Sequence, residues 1–209
     1  MEIKFYGGNC LKFSTKKTSV VVDDIVHLGA KSQVTDKDIQ VITDERTGDR
    51  SPNAKFIVSG PGEYEVSDVS ITGVATRAHV DDENSLKLST IYRVIIDDIR
   101  IAIIGHIYPD ISEEQLEALG TIDILTIPVG GNGYTLDGIG AQKIVRKIEP
   151  KVVIPTHYSD NSLKFEVPQT DRDTALKSLG MEPAETIDVL KVKAGELSDL
   201  TKLIVINRK

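Results

Sequence analysis

The sequence predicts an α+β or α/β molecule of two β-sheets packed face to face and covered by helices. Three observations carry this. The first half reads almost entirely as short strands, the second half alternates strands with helices, and so many strands do not fit one open sheet. Two runs of β-branched residues, Ile99–His106 and Lys151–His157, each end on a histidine. In open α/β sheets ligands gather at the carboxyl ends of the strands, so these two imidazoles are expected on one rim.

The elements follow in order. Glu2–Tyr6, Cys10–Thr15 and Ser19–Asp23 read as strands, the first two joined by the tight-turn sequence Gly7-Gly8-Asn9. Asp36–Thr43, Lys55–Val58, Tyr64–Val66, Val69–Ala75, Leu88–Asp97 and Arg100–Ile104 extend the pattern, with Asp97-Asp98 as a hairpin turn. Ser112 caps a helix whose first turn carries Glu113 and Glu114 and which Gly120 closes. A strand at Ile122–Gly131 precedes a helix from about Gly138 to Glu149, then the strand at Lys151–His157. A last helix runs from near Thr170 to Gly180, with strands at Asp188–Lys193 and Leu203–Asn207.

Composition bounds the function classes. At 209 residues, 40% hydrophobic and 27% charged, the chain fits one domain, 1–209, with a real core. Its net charge of −7 repels a phosphate backbone, and 5% aromatics without tryptophan give no stacking platform, so no nucleic-acid partner is expected. The single cysteine, Cys10, excludes an intramolecular disulfide and reads as core. The opening residues lack the apolar stretch of a signal peptide, so the expectation is a cytoplasmic protein without a membrane partner. A homo-oligomer is left open. The glycine-rich stretches Gly60-Pro61-Gly62 and Gly130–Gly133 lack both the Walker lysine and the dinucleotide fingerprint and read as turns.

The order of a Tyr-Gly turn near the start, Val20–Asp24, Ser59–Val66, Ile104-Gly105-His106, Ile127–Gly131 and Ile154–Tyr158 resembles the metallo-β-lactamase fold superfamily. It is most similar to a small bacterial hydrolase-like branch. The resemblance spans nearly the whole chain and implies a four-layer αββα sandwich with a metal site at the rim where the sheets meet.

The resemblance breaks where the chemistry should be. Relatives carry His-x-His-x-Asp-His after the strand that here ends at Thr43, because two cations need imidazoles and a carboxylate from one loop. This chain reads Asp44-Glu45-Arg46-Thr47-Gly48-Asp49-Arg50, with no histidine in either register. Arg46 and Arg50 oppose a dication and would hold an anion instead. His106 stands where the resemblance implies a metal-bridging aspartate, and Gly7-Gly8-Asn9 replaces a Gly-His-Ser turn. His79 and His157 remain at ligand-like positions, whereas His27 has no motif support and reads as a surface residue.

Two readings from different classes result. In the favoured one the chain is a degenerate relative without two-metal hydrolysis, serving as a ligand-binding or interaction module. It implies no particular cofactor, and a small anionic ligand at Arg46 and Arg50 is its expected partner. In the other, Asp44, His79, His106 and His157 hold one zinc or another divalent transition metal. Asp49 and His106 then take catalytic roles in hydrolysing an ester, amide or phosphodiester. Each candidate also has a plainer role: His157 bonded to a loop oxygen, His79 solvated beside carboxylates, and His106 filling the emptied site by bonding Asp44 or Asp49.

Overall fold

The computed structural model describes residues 1–45, 49–80 and 88–209. The strands are β1 (Glu2–Gly7), β2 (Cys10–Ser14), β3 (Ser19–Val22), β4 (Asp38–Ile42), β5 (Phe56–Ser59), β6 (Gly62–Val66), β7 (Val69–Arg77), β8 (Leu88–Ile96), β9 (Ile99–Ile103), β10 (Ile124–Pro128), β11 (Val152–Thr156), β12 (Pro183–Ile187), β13 (Leu190–Lys191) and β14 (Lys202–Ile206). The helices are α1 (Glu113–Leu119), α2 (Gly138–Ile148) and α3 (Arg172–Leu179).

These strands form two mixed sheets. The first has six strands in the order β13-β1-β2-β3-β4-β5; the second has eight, β12-β14-β11-β10-β9-β8-β7-β6. The hairpins β1–β2–β3 and β6–β9 are antiparallel, while β3–β4–β5 and β9–β10–β11–β14–β12 are parallel. Alternation sets the inner faces: Ile3 and Phe5 of β1, Phe13 of β2 and Val20 of β3 meet Ile71, Val94, Ile101 and Ile124 of the second sheet in one core. The β10 residues are all buried because this central strand faces that core on one side and the helices on the other.

Local chemistry sets the helix ends. Ser112 and Gln115 form a reciprocal capping box on α1, with Gly120 at its end. Asp137 and Asp171 cap α2 and α3 by accepting from the backbone N–H groups of Gly140 and Thr174, and Gly180 closes α3 in the left-handed conformation. Leu119, Ile144, Val145, Leu176 and Leu179 of these helices bury against the eight-stranded sheet. The helical layers are unequal. Among the described residues the outer face of the six-stranded sheet carries a single 3-10 turn, Val26–Leu28, which with Val34 and Leu163 covers Cys10 and Val21.

The strand at β12 was not expected: its residues are mostly exposed and show no alternation, because it is an edge paired on one side only. The expected strand Asp188–Lys193 shortens to the two residues of β13. No helix among the described residues is long and apolar enough to cross a membrane.

Candidate functional site

Parallel pairing brings the carboxyl ends of β3, β4, β9, β10 and β11 to one edge of the sandwich. His106 and His157 follow β9 and β11 there, and the first turn, Gly8-Asn9, meets them. The two imidazoles lie edge to face with centroids 4.6 Å apart. His106 is 4% exposed and His157 3%. Tyr134 packs against both rings, and Phe165 lies 5.1 Å from His157. His157 has a left-handed backbone, φ 55°, unusual for a side-chain-bearing residue, and its N–H donates to Gly8 O at 2.8 Å.

The hydrogen-bond network assigns the tautomers. Thr156 Oγ1 donates to Asn9 Oδ1 at 2.9 Å, which turns the Asn9 amide Nδ2 toward His106 Nε2 at 3.3 Å. His106 Nε2 therefore accepts, and its Nδ1–H faces the Tyr134 carbonyl at 3.4 Å. Gln169 donates from Nε2 to Val167 O, leaving its Oε1 to accept from His157 Nδ1 at 3.2 Å. Burial above all, and then repulsion from His106, holds the His157 imidazole well below its ordinary pKa, so it is neutral. His79 stands beside this pair through its backbone, N–H to His106 O at 2.9 Å, and its Nδ1–H donates to Ile107 O at 3.0 Å.

The first sheet supplies carboxylates. Asp23, at the end of β3, accepts from Thr43 N at 2.8 Å and Thr43 Oγ1 at 2.6 Å. Burial raises its pKa to about 6 against the lowering effect of the Thr43 bonds. Thr43 is anchored from the other sheet, its carbonyl accepting from Thr90 N and Ser89 Oγ, both at 2.9 Å. Asp44 is buried next in the chain. Asp49 is held by His27: its Oδ2 accepts from the N–H of His27 at 2.5 Å and from His27 Nδ1 at 3.1 Å. Arg50 pairs with Glu45 at 2.5 Å and reaches Ser59 Oγ at 3.2 Å. Arg46 lies outside the described residues.

Of the predicted residues, the structure thus brings together His106 and His157, with His79 adjacent, and gives Asp49 and Arg50 other partners. His106 bonds Asn9 and faces the Tyr134 carbonyl. Sequence reasoning missed Asn9, Tyr134, Gln169 and the His27–Asp49 pair. The one usable signal was the departure of the first turn, Gly7-Gly8-Asn9, which contains Asn9.

The profile of the beta-lactamase superfamily domain matches residues 2–157. The chain belongs to this family. A UPF0173 metal-dependent hydrolase of Archaeoglobus fulgidus is 28% identical over 129 residues, 60% of this chain; the match spans about half, 53%, of that relative's length. A metallo-beta-lactamase superfamily protein from Thermotoga maritima superposes with a TM-score of 0.79 at 23% identity, over 100% of this chain and 99% of its own. A metallo-beta-lactamase fold protein from Bacillus subtilis gives 0.56 at 10% identity, over 99% and 96%. These likenesses establish the fold of the beta-lactamase superfamily domain here.

Among the described residues, the donor set at the rim does not present a two-metal centre. Among the described residues no three His, Cys, Asp or Glu side chains group to hold a metal ion. Both nitrogens of His106 have hydrogen-bond partners, and His157 offers Nε2 alone. A catalytic zinc needs three protein ligands and an open position.

Proposed function

We propose that this chain is a non-hydrolytic member of the family, a ligand-binding or interaction module. The observation that carries the reading is the buried His106–His157 pair, with Asn9 on His106 Nε2. Where a hydrolase needs several lone pairs aimed at a cation, His106 bonds Asn9 and the Tyr134 carbonyl and His157 Nδ1 bonds Gln169, which leaves His157 Nε2 to ligate. Rebuilding the site would require breaking buried hydrogen bonds, each costing about 1–3 kcal/mol when a partner is left unsatisfied.

For the ligand we propose a small anion taken by the loop that carries Arg46 and Arg50. Arg50 holds Glu45 in an exposed pair, and such pairs contribute about 1 kcal/mol or less, so an incoming anion exchanges with the carboxylate at little cost.

Elemental analysis of protein purified without a metal-binding tag, with assays of β-lactam and phosphodiester hydrolysis in added zinc, tests the reading. The expected result is sub-stoichiometric metal and no chelator-sensitive turnover. Stoichiometric zinc with turnover lost in His157→Ala would overturn it.

A further inference from the structure

The eight-stranded sheet ends on β6, and the register of that strand shows what its edge presents. Val66 faces Val69 across the two-residue turn Ser67-Asp68, both of whose residues have positive φ. Such a turn closes on a hydrogen-bonded pair. Alternation then commits Val66, Tyr64 and Gly62 to β7 and turns the backbone N–H and C=O of Glu63 and Glu65 outward. The next pairs agree, because Ser70 and Thr72 of β7 face Ile95 and Arg93 of β8 in the complementary phase. Neither outward N–H has a partner among the described residues.

The side chains alternate with the same period. Tyr64 and Val66 lean on the inter-sheet core, while Glu63 and Glu65 are exposed on the other face, neither in an ion pair among the described residues. The other edges of the two sheets are less open to pairing. β13 has two residues, β5 has four, and β12 begins at Pro183, which lacks an N–H, and shifts register before Glu185.

We infer that β6 is a docking edge for an extended, basic peptide segment, which adds to the sheet as a ninth strand. The backbone of Glu63 and Glu65 supplies two N–H and two C=O groups, and their carboxylates lie beside alternate side chains of the incoming strand. A second copy of the same strand is the wrong occupant. Antiparallel pairing of two β6 edges through their outward residues puts glutamate opposite glutamate, at about 5.5 Å between Cα atoms, in every register that pairs them. The acidic edge therefore rejects itself and selects a partner with Lys or Arg at every second position. This inference is independent of whether the rim binds a ligand or a metal.

The test uses the full chain and a labelled ten-residue peptide of alternating Lys and Val, with an alternating Glu and Val peptide as control. Fluorescence anisotropy is expected to show binding of the basic peptide alone, weakening as salt rises. Hydrogen exchange on the wild type is expected to slow at the Glu63 and Glu65 amides when that peptide is present. Glu65→Pro removes one outward N–H at a place where an edge strand tolerates proline, and should weaken binding about tenfold or more. Glu63→Gln with Glu65→Gln should flatten the salt dependence. No binding of the basic peptide, equal binding of the acidic one, or no slowing at these two amides would overturn the inference. So would unchanged affinity in a folded Glu65→Pro protein.

Discussion

The two sheets contribute opposite chemistries to the same rim. The second brings His106 and His157, both buried, with Asn9 and the Tyr134 carbonyl on His106 and Gln169 on His157 Nδ1. The first brings Asp23 and Asp44, of which Asp23 changes charge at about pH 6. The imidazole side is therefore a packed, fixed wall, and the carboxylate side is where proton uptake can act.

The largest effect should come from Gly130→Ala on the imidazole side. A Cβ there would overlap the His157 carbonyl oxygen and the Gln169 side chain, and the backbone carbonyl cannot move aside without shifting the histidine. Urea denaturation should show a loss of more than about 3 kcal/mol. A small loss would mean that the wall is soft and that the contrast between the two sides is overstated.

On the carboxylate side the effect should depend on pH. The folded pKa of Asp23, about 6, lies above the ordinary carboxyl value of 3.8. Its contribution to stability is thus fully present below about pH 3.8 and is lost as pH rises through about 6, a difference of roughly 3 kcal/mol. His157 works in the opposite sense. Its pKa is depressed by burial, so its contribution is complete above about pH 6.5 and is lost as pH falls. Asp23→Asn should remove the first slope, leaving a protein whose stability only rises between pH 4 and 7. His157→Gln should leave the reverse. Stability curves measured across that range for both variants separate the two sides, and identical curves would refute the division.

Asn9→Leu should cost about 2 kcal/mol by thermal or urea melts, since it strips a partner from both Thr156 and His106 within a buried network. Arg50→Ala should be the mildest, under about 0.5 kcal/mol in the absence of ligand, because its pair with Glu45 is exposed. The same substitution should weaken sulfate or phosphate binding measured by calorimetry. An Arg50→Ala protein with unchanged anion affinity would move the proposed ligand away from that loop.

The elements that were legible in the sequence are those whose signal is local. Ser112, Gln115 and Gly120 bracket α1 as capping chemistry demands, and the β-branched runs of β9, β10 and β11 place His106 and His157 at strand ends on one rim. β12 escaped because a polar edge strand buries neither face, so its residues carry no period. The site's partners escaped for a different reason. Asn9 reaches His106 across 97 residues and Thr156 across 147, and nothing in a local window records which amide a folded chain will deliver to which ring. His27, read as a surface residue, is indeed partly exposed, yet its ring and its backbone both hold Asp49.

The phenol of Tyr92 in β8 reaches across the sandwich, donating to Ile42 O at 2.8 Å and accepting from Gly60 N at 2.9 Å. Its partners lie 50 and 32 residues earlier in the chain, at the end of β4 and just beyond β5. On the ribosome the first five strands would emerge before the residue that fastens their exit to the opposite sheet has been made. The six-stranded sheet also takes its last edge, β13, from near the end of the chain, so its closure waits on residues made after β8. Such long-range closure predicts slow folding with the inner faces exposed in the meantime, and it makes the nascent first half the stretch most in need of shielding from its neighbours.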